Sequence, residues 1–116
     1  MTTVLNRIKV HYLPIHPVFI RDGYICQYCG ADLLESINDW QACTLDHFIP
    51  QSKDGGNRLD NLITACRYCN EQKKDMEFDT IEQARVYLAK KRQVLSERLE
   101  LLRRELGRDN VDYSQR

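Results

Sequence analysis

The clearest periodicity lies at the C-terminal end of the chain. Ile81, Leu88, Leu95 and Leu102 recur every seven residues, joined by Ala84, Leu99 and Leu106, which is the spacing of an apolar stripe on one face of a helix. Thr80 and Gln83 form a capping-box pair at its start, and Gly107 is a natural stop. The pattern predicts a helix over 80–107, followed by a polar tail over 108–116 that is expected to fray. Its first half is expected to pack on the rest of the chain. Its second half is open to a partner helix, although Arg85 and Arg92 interrupt the seam. Upstream the pattern is more broken. Pro14 and Pro17 disfavour a helix through residues 2–20, where Val4, Leu5, Ile8, Val10, Tyr12 and Leu13 suit an extended segment. Val18 to Ile25 reads as a hairpin arm, and Leu33, Leu34, Ile37 and Trp40 recur at helix-like spacing. Leu45 to Ile49 reads as a strand ending at Pro50, Asp54-Gly55-Gly56 as a turn, and Leu62 to Ala65 as the returning strand. The polar segment from Asn70 to Asp75 suits a short helix.

Length and charge narrow this picture. A chain of 116 residues is one domain with a modest core, so a structural metal would be a natural supplement. The expected organisation is a compact unit over 1–79, the helix over 80–107 and the tail. Lys and Arg number 17 and Asp and Glu 17, for a net charge of zero, which weighs against bulk nucleic-acid binding. The charge is unevenly spread: residues 1–30 carry three basic and one acidic side chain, residues 31–79 five and ten, and residues 80–116 nine and six, for +2, −5 and +3. A cation would offset part of the acidic middle, and the basic flanks could meet phosphates. No apolar run approaches the ~20 residues needed to cross a bilayer, and charges interrupt the N-terminal stretch where a signal peptide would be apolar. A cytoplasmic protein, not membrane-bound, is expected.

Two Cys-x-x-Cys pairs, Cys26 with Cys29 and Cys66 with Cys69, predict one tetrahedral structural zinc, because paired thiolates at this spacing can share a closed four-coordinate site. Disulfides are disfavoured by the expected compartment and by the odd fifth cysteine, Cys43, which reads as a buried inert thiol. A redox pair is disfavoured because no βαβ pattern surrounds either motif. His11 and His16 sit beside prolines and read as surface or packing residues rather than ligands.

Three stretches then carry a specific resemblance. Arg21-Asp-Gly-Tyr-Ile-Cys-Gln-Tyr-Cys-Gly30, Leu45-Asp-His-Phe-Ile-Pro-Gln-Ser-Lys-Asp-Gly-Gly56 and Asp60-Asn-Leu-Ile-Thr-Ala-Cys-Arg-Tyr-Cys-Asn-Glu-Gln-Lys73 together resemble the HNH endonuclease family in its zinc-stapled four-cysteine branch, over Phe19 to Asp75 and in the family's order. The resemblance implies an α+β fold: a small ββα-metal core stapled by the four-cysteine zinc site, with the long amphipathic helix appended. It implies a metal-ligand role for Asp46 and a general-base role for His47. By the same resemblance Asn61 ties the loop between the strands, and Asn70 stands as a metal ligand where many members have a histidine. The implied reaction is hydrolysis of DNA, expected to be double-stranded, by nicking or double-strand cleavage that leaves 5′-phosphate and 3′-hydroxyl ends.

The chemistry of these side chains agrees with that reading. A neutral imidazole can accept a proton from water near neutral pH. A carboxylate and a carboxamide are hard oxygen ligands suited to Mg²⁺ or Mn²⁺. Asp46 and His47 would point to opposite faces of an ideal strand, so joint action needs a bend at the strand end. Lys73 and Lys74 can share a helical face with Asn70. Lys74 occupies the position of a further histidine ligand in some relatives, and a phosphate contact or a solvated charge are the readings open to it. Two alternatives stand beside the enzyme: a non-catalytic zinc-stapled nucleic-acid-binding module, and a scaffold presenting the helix over 80–106 to a second copy or another protein.

Overall fold

The computed structural model describes residues 14–114. The extended segment expected from Val4 to Leu13, with His11, lies outside the described residues. In chain order the elements are α1 (Pro17–Arg21), α2 (Ile37–Gln41), β1 (Cys43–His47), β2 (Leu62–Cys66), α3 (Arg67–Lys73) and α4 (Ile81–Glu105), with single 3-10 turns at Gln51–Lys53 and Leu59–Asn61. β1 and β2 form a two-stranded antiparallel sheet, registered from Cys43 opposite Cys66 to His47 opposite Leu62. α3 follows β2 directly, so the fold is α+β, a ββα unit with a four-cysteine cluster and a long C-terminal helix. Among the described residues no helix is long and apolar enough to cross a membrane.

Of the N-terminal hairpin arm expected over Val18 to Ile25, the part up to Arg21 is instead a helical turn, while Ile25 does pair antiparallel, with Asp32. Pro17 occupies the start of α1, where its fixed φ favours the helix and its missing N–H costs nothing. His16 Nδ1 accepts a hydrogen bond from Val18 N at 3.0 Å, so this histidine is a helix cap. Val18 and Phe19 are buried. The Asp22 carboxylate accepts from Thr64 N at 3.0 Å and from Arg21 Nε at 2.9 Å. The Arg21 guanidinium also donates to Leu59 O and Leu62 O at 2.8 and 2.7 Å. These bonds fasten α1 to β2 and hold the Asp22 carboxyl below its ordinary range despite the opposing effect of burial.

The elements around the sheet begin earlier than the apolar pattern alone suggests. β1 starts at Cys43 and stops at His47, because Phe48 N and Ile49 N turn to Asn61 O and Asn61 Oδ1 at 2.9 and 2.8 Å. α3 starts at Arg67, not Asn70: Cys66 Sγ accepts from Cys69 N at 3.4 Å and caps the helix. It ends where Lys74 adopts φ 53° and ψ −131°. The predicted turn at Asp54-Gly55-Gly56 packs so closely that a Cβ on Gly55 would overlap the Ile49 carbonyl.

α4 follows the capping prediction. Thr80 Oγ1 accepts from Gln83 N at 3.2 Å, and Gln83 Oε1 accepts from Asp79 N at 3.1 Å. Ala84 and Leu88 insert into a core formed with Cys26, Tyr28, Leu33, Ala65, Cys66 and Cys69. Each fully buried leucine here, such as Leu33 and Leu88, contributes roughly 1.5–3 kcal/mol. Arg85 and Arg92 also face the domain: Arg85 Nε donates to Gln27 O at 2.7 Å, and the Arg92 guanidinium stacks 4.2 Å above the Tyr68 ring. Beyond that point the helix leaves the core, and every residue from Arg92 to Leu102 is exposed.

Candidate active site

The four paired cysteines converge from two turns. Cys26 and Cys29 lie on the loop closed by the Cys26 N to Ala31 O bond, with Gly30 at φ +77°. Cys66 and Cys69 lie at the end of β2 and in the first turn of α3. Their sulfur atoms all fall within 4.8 Å of one another, and Cys29 Sγ is 3.9 Å from Cys66 Sγ. A regular tetrahedron of four sulfurs around zinc, with bonds of about 2.3 Å, has edges of about 3.8 Å, so the cluster could hold zinc. Hydrogen bonds from the other three thiols pull Cys26 far below its ordinary pKa, while the same crowding drives Cys69 far above it. Sulfurs this close cannot all ionise without a cation among them. Arg92 Nη2 approaches Cys69 Sγ at 3.9 Å from outside the cluster.

Cys43 stands apart, paired across the sheet from Cys66. Burial pushes its thiol up to about 11, so it stays protonated at neutral pH.

On the other side of α3 a cleft of about 260 Å³ is lined by Asp46, His47, Gln51, Asn70, Lys74 and Asp75 among others. A larger concavity of about 680 Å³ lies between the cysteines and α4, but its walls are mainly apolar and it holds none of Asp46, His47, Asn61 and Asn70. Three of these four therefore share one cleft. Asn61 lies outside it, and its amide makes three bonds to the connecting loop: Oδ1 accepts from Ile49 N, and Nδ2 donates to Ile49 O and Gly56 O at 3.0 and 2.9 Å.

Asp46 is buried, with only 4% of its surface exposed. Its Oδ2 accepts from the Tyr28 hydroxyl and lies 3.3 Å from Lys73 Nζ. Burial pushes its carboxyl above the ordinary value, and the Tyr28 bond and the Lys73 charge only partly offset this. The Tyr28 hydroxyl is itself held protonated by burial and by its bond to Asp46. Both donors engage Oδ2, which leaves Oδ1 without a protein partner among the described residues. Lys73 is fully buried and also donates to His47 O at 3.1 Å, so a single cation from α3 grips both residues of the Asp46-His47 pair.

The hydrogen bonds assign the remaining polar atoms of the cleft. Asn57 Oδ1 accepts from Gln51 Nε2 at 3.2 Å, which identifies it as the carbonyl oxygen. His47 Nε2, 2.7 Å from that same oxygen, must then be the protonated nitrogen, leaving Nδ1 as the acceptor. Thr44 Oγ1 spends its single proton on Ala65 O at 2.8 Å, so it accepts from Asn70 Nδ2 at 2.9 Å. The Asn70 carbonyl oxygen is thereby left for another partner. The cleft thus presents one basic nitrogen and two hard oxygens, a donor set that fits a small divalent cation better than a soft one.

Sequence reasoning does not single out Tyr28, Thr44 or Asn57, and it places Lys73 beside Asn70 on an open helical face rather than inside the core. Asp75, a further carboxylate at the cleft, carries no signal of its own in the sequence. Residues 26–76 match the family model described as HNH endonuclease, so this stretch of the chain is similar to that domain. No curated protein and no solved structure matches the chain.

Proposed function

We propose that this domain is an HNH endonuclease that hydrolyses phosphodiester bonds in DNA, using a divalent Mg²⁺ or Mn²⁺ ion held by Asp46 and Asn70, with His47 as general base and a structural zinc on Cys26, Cys29, Cys66 and Cys69. The observation that carries this reading is the convergence, in one cleft, of an imidazole whose free nitrogen is Nδ1 with the uncommitted oxygens of Asp46 and Asn70. His47 takes the proton of the attacking water at Nδ1, while Asn57 keeps the ring in the competent tautomer and orientation. Lys73 and Tyr28 both engage Oδ2 of the Asp46 carboxylate, so its second oxygen is the one left to hold an ion. Asn61 holds the loop that carries Asn57. A bound ion would supply Lewis-acid charge relief at the scissile phosphate and the departing 3′ oxygen. Lys74 also lines the cleft, and in this reading it meets a backbone phosphate.

Conversion of supercoiled plasmid to nicked or linear forms with Mg²⁺ or Mn²⁺ tests the assignment. His47→Ala is expected to lower the rate by about 10²–10⁴-fold while zinc content and melting temperature stay those of the wild type. Equal cleavage by the variant would remove His47 from the reaction. Retardation of DNA without cleavage by the wild type would favour the binding-module reading.

A further inference from the structure

We infer that the distal half of α4 is the interface of an antiparallel homodimer, in which Leu95 and Leu99 of one protomer pack against Leu106 and Leu102 of its partner. The stripe that buries Ala84 and Leu88 runs on past the edge of the domain. There Leu95, Leu99, Leu102 and Leu106 are 39, 45, 55 and 64% exposed. Their spacing of four, three and four residues is that of a coiled-coil seam. Arg85 and Arg92 break the seam only in the first half, where both are engaged with the chain's own core.

The charges beside the seam select both the partner and its direction. Arg98 and Glu105 flank Leu99 and Leu106 on one edge, and Ser96 and Arg103 flank Leu95 and Leu102 on the other. In a parallel pair, flanking residues meet the partner's opposite edge five positions on, which sets Arg98 against Arg103. In an antiparallel pair each edge meets itself. Arg98 of one protomer then faces Glu105 of its partner, twice by symmetry, and Ser96 faces Arg103 without repulsion. Arg103 is additionally neutralised within its own chain by Glu100 at 2.7 Å. A stretch that holds both a charge and its complement at the spacing of self-pairing fits a second copy of this chain rather than an unrelated helix. In this alignment, with Leu99 opposite Leu102, Arg92 falls opposite residue 109 of the partner, past the end of its helix, and so does not meet the partner's seam.

Sedimentation equilibrium of the full zinc-loaded chain tests this, with circular dichroism and zinc content confirming that each variant is folded. All the substituted positions are exposed, so folding should be retained. The wild type is expected to show a concentration-dependent monomer–dimer equilibrium, and Leu102→Glu to be monomeric throughout. Arg98→Glu and Glu105→Arg should each weaken dimerisation about tenfold, because each places like charges at both flanking contacts. An equimolar mixture of the two should recover wild-type affinity as a heterodimer. A wild type that stays monomeric at every concentration would overturn the proposal, leaving the stripe to another segment or a different protein. Tighter dimerisation of Arg98→Glu would show a parallel pair, and failure of the mixture to recover affinity would refute the antiparallel register.

Discussion

Replacing Lys73 with methionine removes one charge of nearly unchanged length from the least exposed side chain near the cleft. At 3.3 Å from Asp46 Oδ2, the gross attraction is about 5 kcal/mol for an effective dielectric near 20. Desolvating both groups offsets much of that in the intact pair. The variant loses the attraction but keeps the burial, leaving the Asp46 carboxylate with Tyr28 alone and the His47 carbonyl without its donor. Removing one member of such a pair costs about 3–5 kcal/mol, a large share of the roughly 5–15 kcal/mol that holds a domain folded. At about 4 °C per kcal/mol for a chain of this length, Lys73→Met should melt about 12–20 °C below the wild type, measured with zinc bound. Asp46→Asn, which keeps the shape and an acceptor, should cost less, and the double variant should cost less than the sum by at least about 1 kcal/mol. A Lys73→Met protein within about 1 kcal/mol of the wild type, or an additive cycle, would refute the reading of Lys73 as the buried clamp on the Asp46-His47 pair.

Metal analysis should find one tightly held zinc per chain that is lost in Cys66→Ser; retention of zinc by that variant would show that the cysteine cluster is not its site. Because burial raises the Cys43 thiol to about 11, its thiolate fraction is about 0.1% at pH 8, against roughly a quarter for an ordinary cysteine of pKa near 8.5. Its alkylation in the zinc-loaded protein should therefore be roughly 200-fold slower than that of a free thiol at pH 8 and accelerate towards pH 11; a rate that levels off near pH 9 would contradict the burial. Lys74 adopts φ 53°, a backbone region that costs a side chain about 1–3 kcal/mol, so Lys74→Gly should raise stability by about 1 kcal/mol. If Lys74 also meets a phosphate, the same variant should bind DNA with a salt slope smaller by about one, and an unchanged slope would leave it as a solvated charge.

What the sequence reveals follows the range of the interactions involved. α4 is legible because capping and a seven-residue repeat are local, and the four-cysteine cluster because its two-residue gaps are set by a knuckle that each pair forms alone. α1 is not legible: Pro17 breaks a helix when interior but begins one at the first position, and the choice turns on His16 Nδ1 reaching Val18 N. β1 and α3 are found but displaced, since their limits depend on Asn61 and on the Cys66 cap rather than on apolar alternation. Tyr28, Thr44 and Asn57 are silent in the sequence because each acts across a fold-determined distance on a residue 10 to 26 positions away. A lysine that is fully buried runs against the expectation for its type, and only the structure shows the carboxylate and carbonyl that stabilise it there.

α3 joins the two halves of the domain in a way that constrains both. Its first turn carries Cys69, the next residue is Asn70 in the cleft, and its last is Lys73 beneath Asp46 and His47. The helix is only seven residues long, too short to be stable by itself. Its placement rests on the cysteine cluster at one end and the Lys73 contacts at the other, with the Asn70 bond to Thr44 between them. A zinc at the cysteines would thus act on the cleft through rigid placement of Asn70 and Lys73 rather than through chemistry at the phosphate. The bond from Lys73 to the His47 carbonyl carries that placement onto β1, so the proposed ligands and the proposed base are set by one short helix.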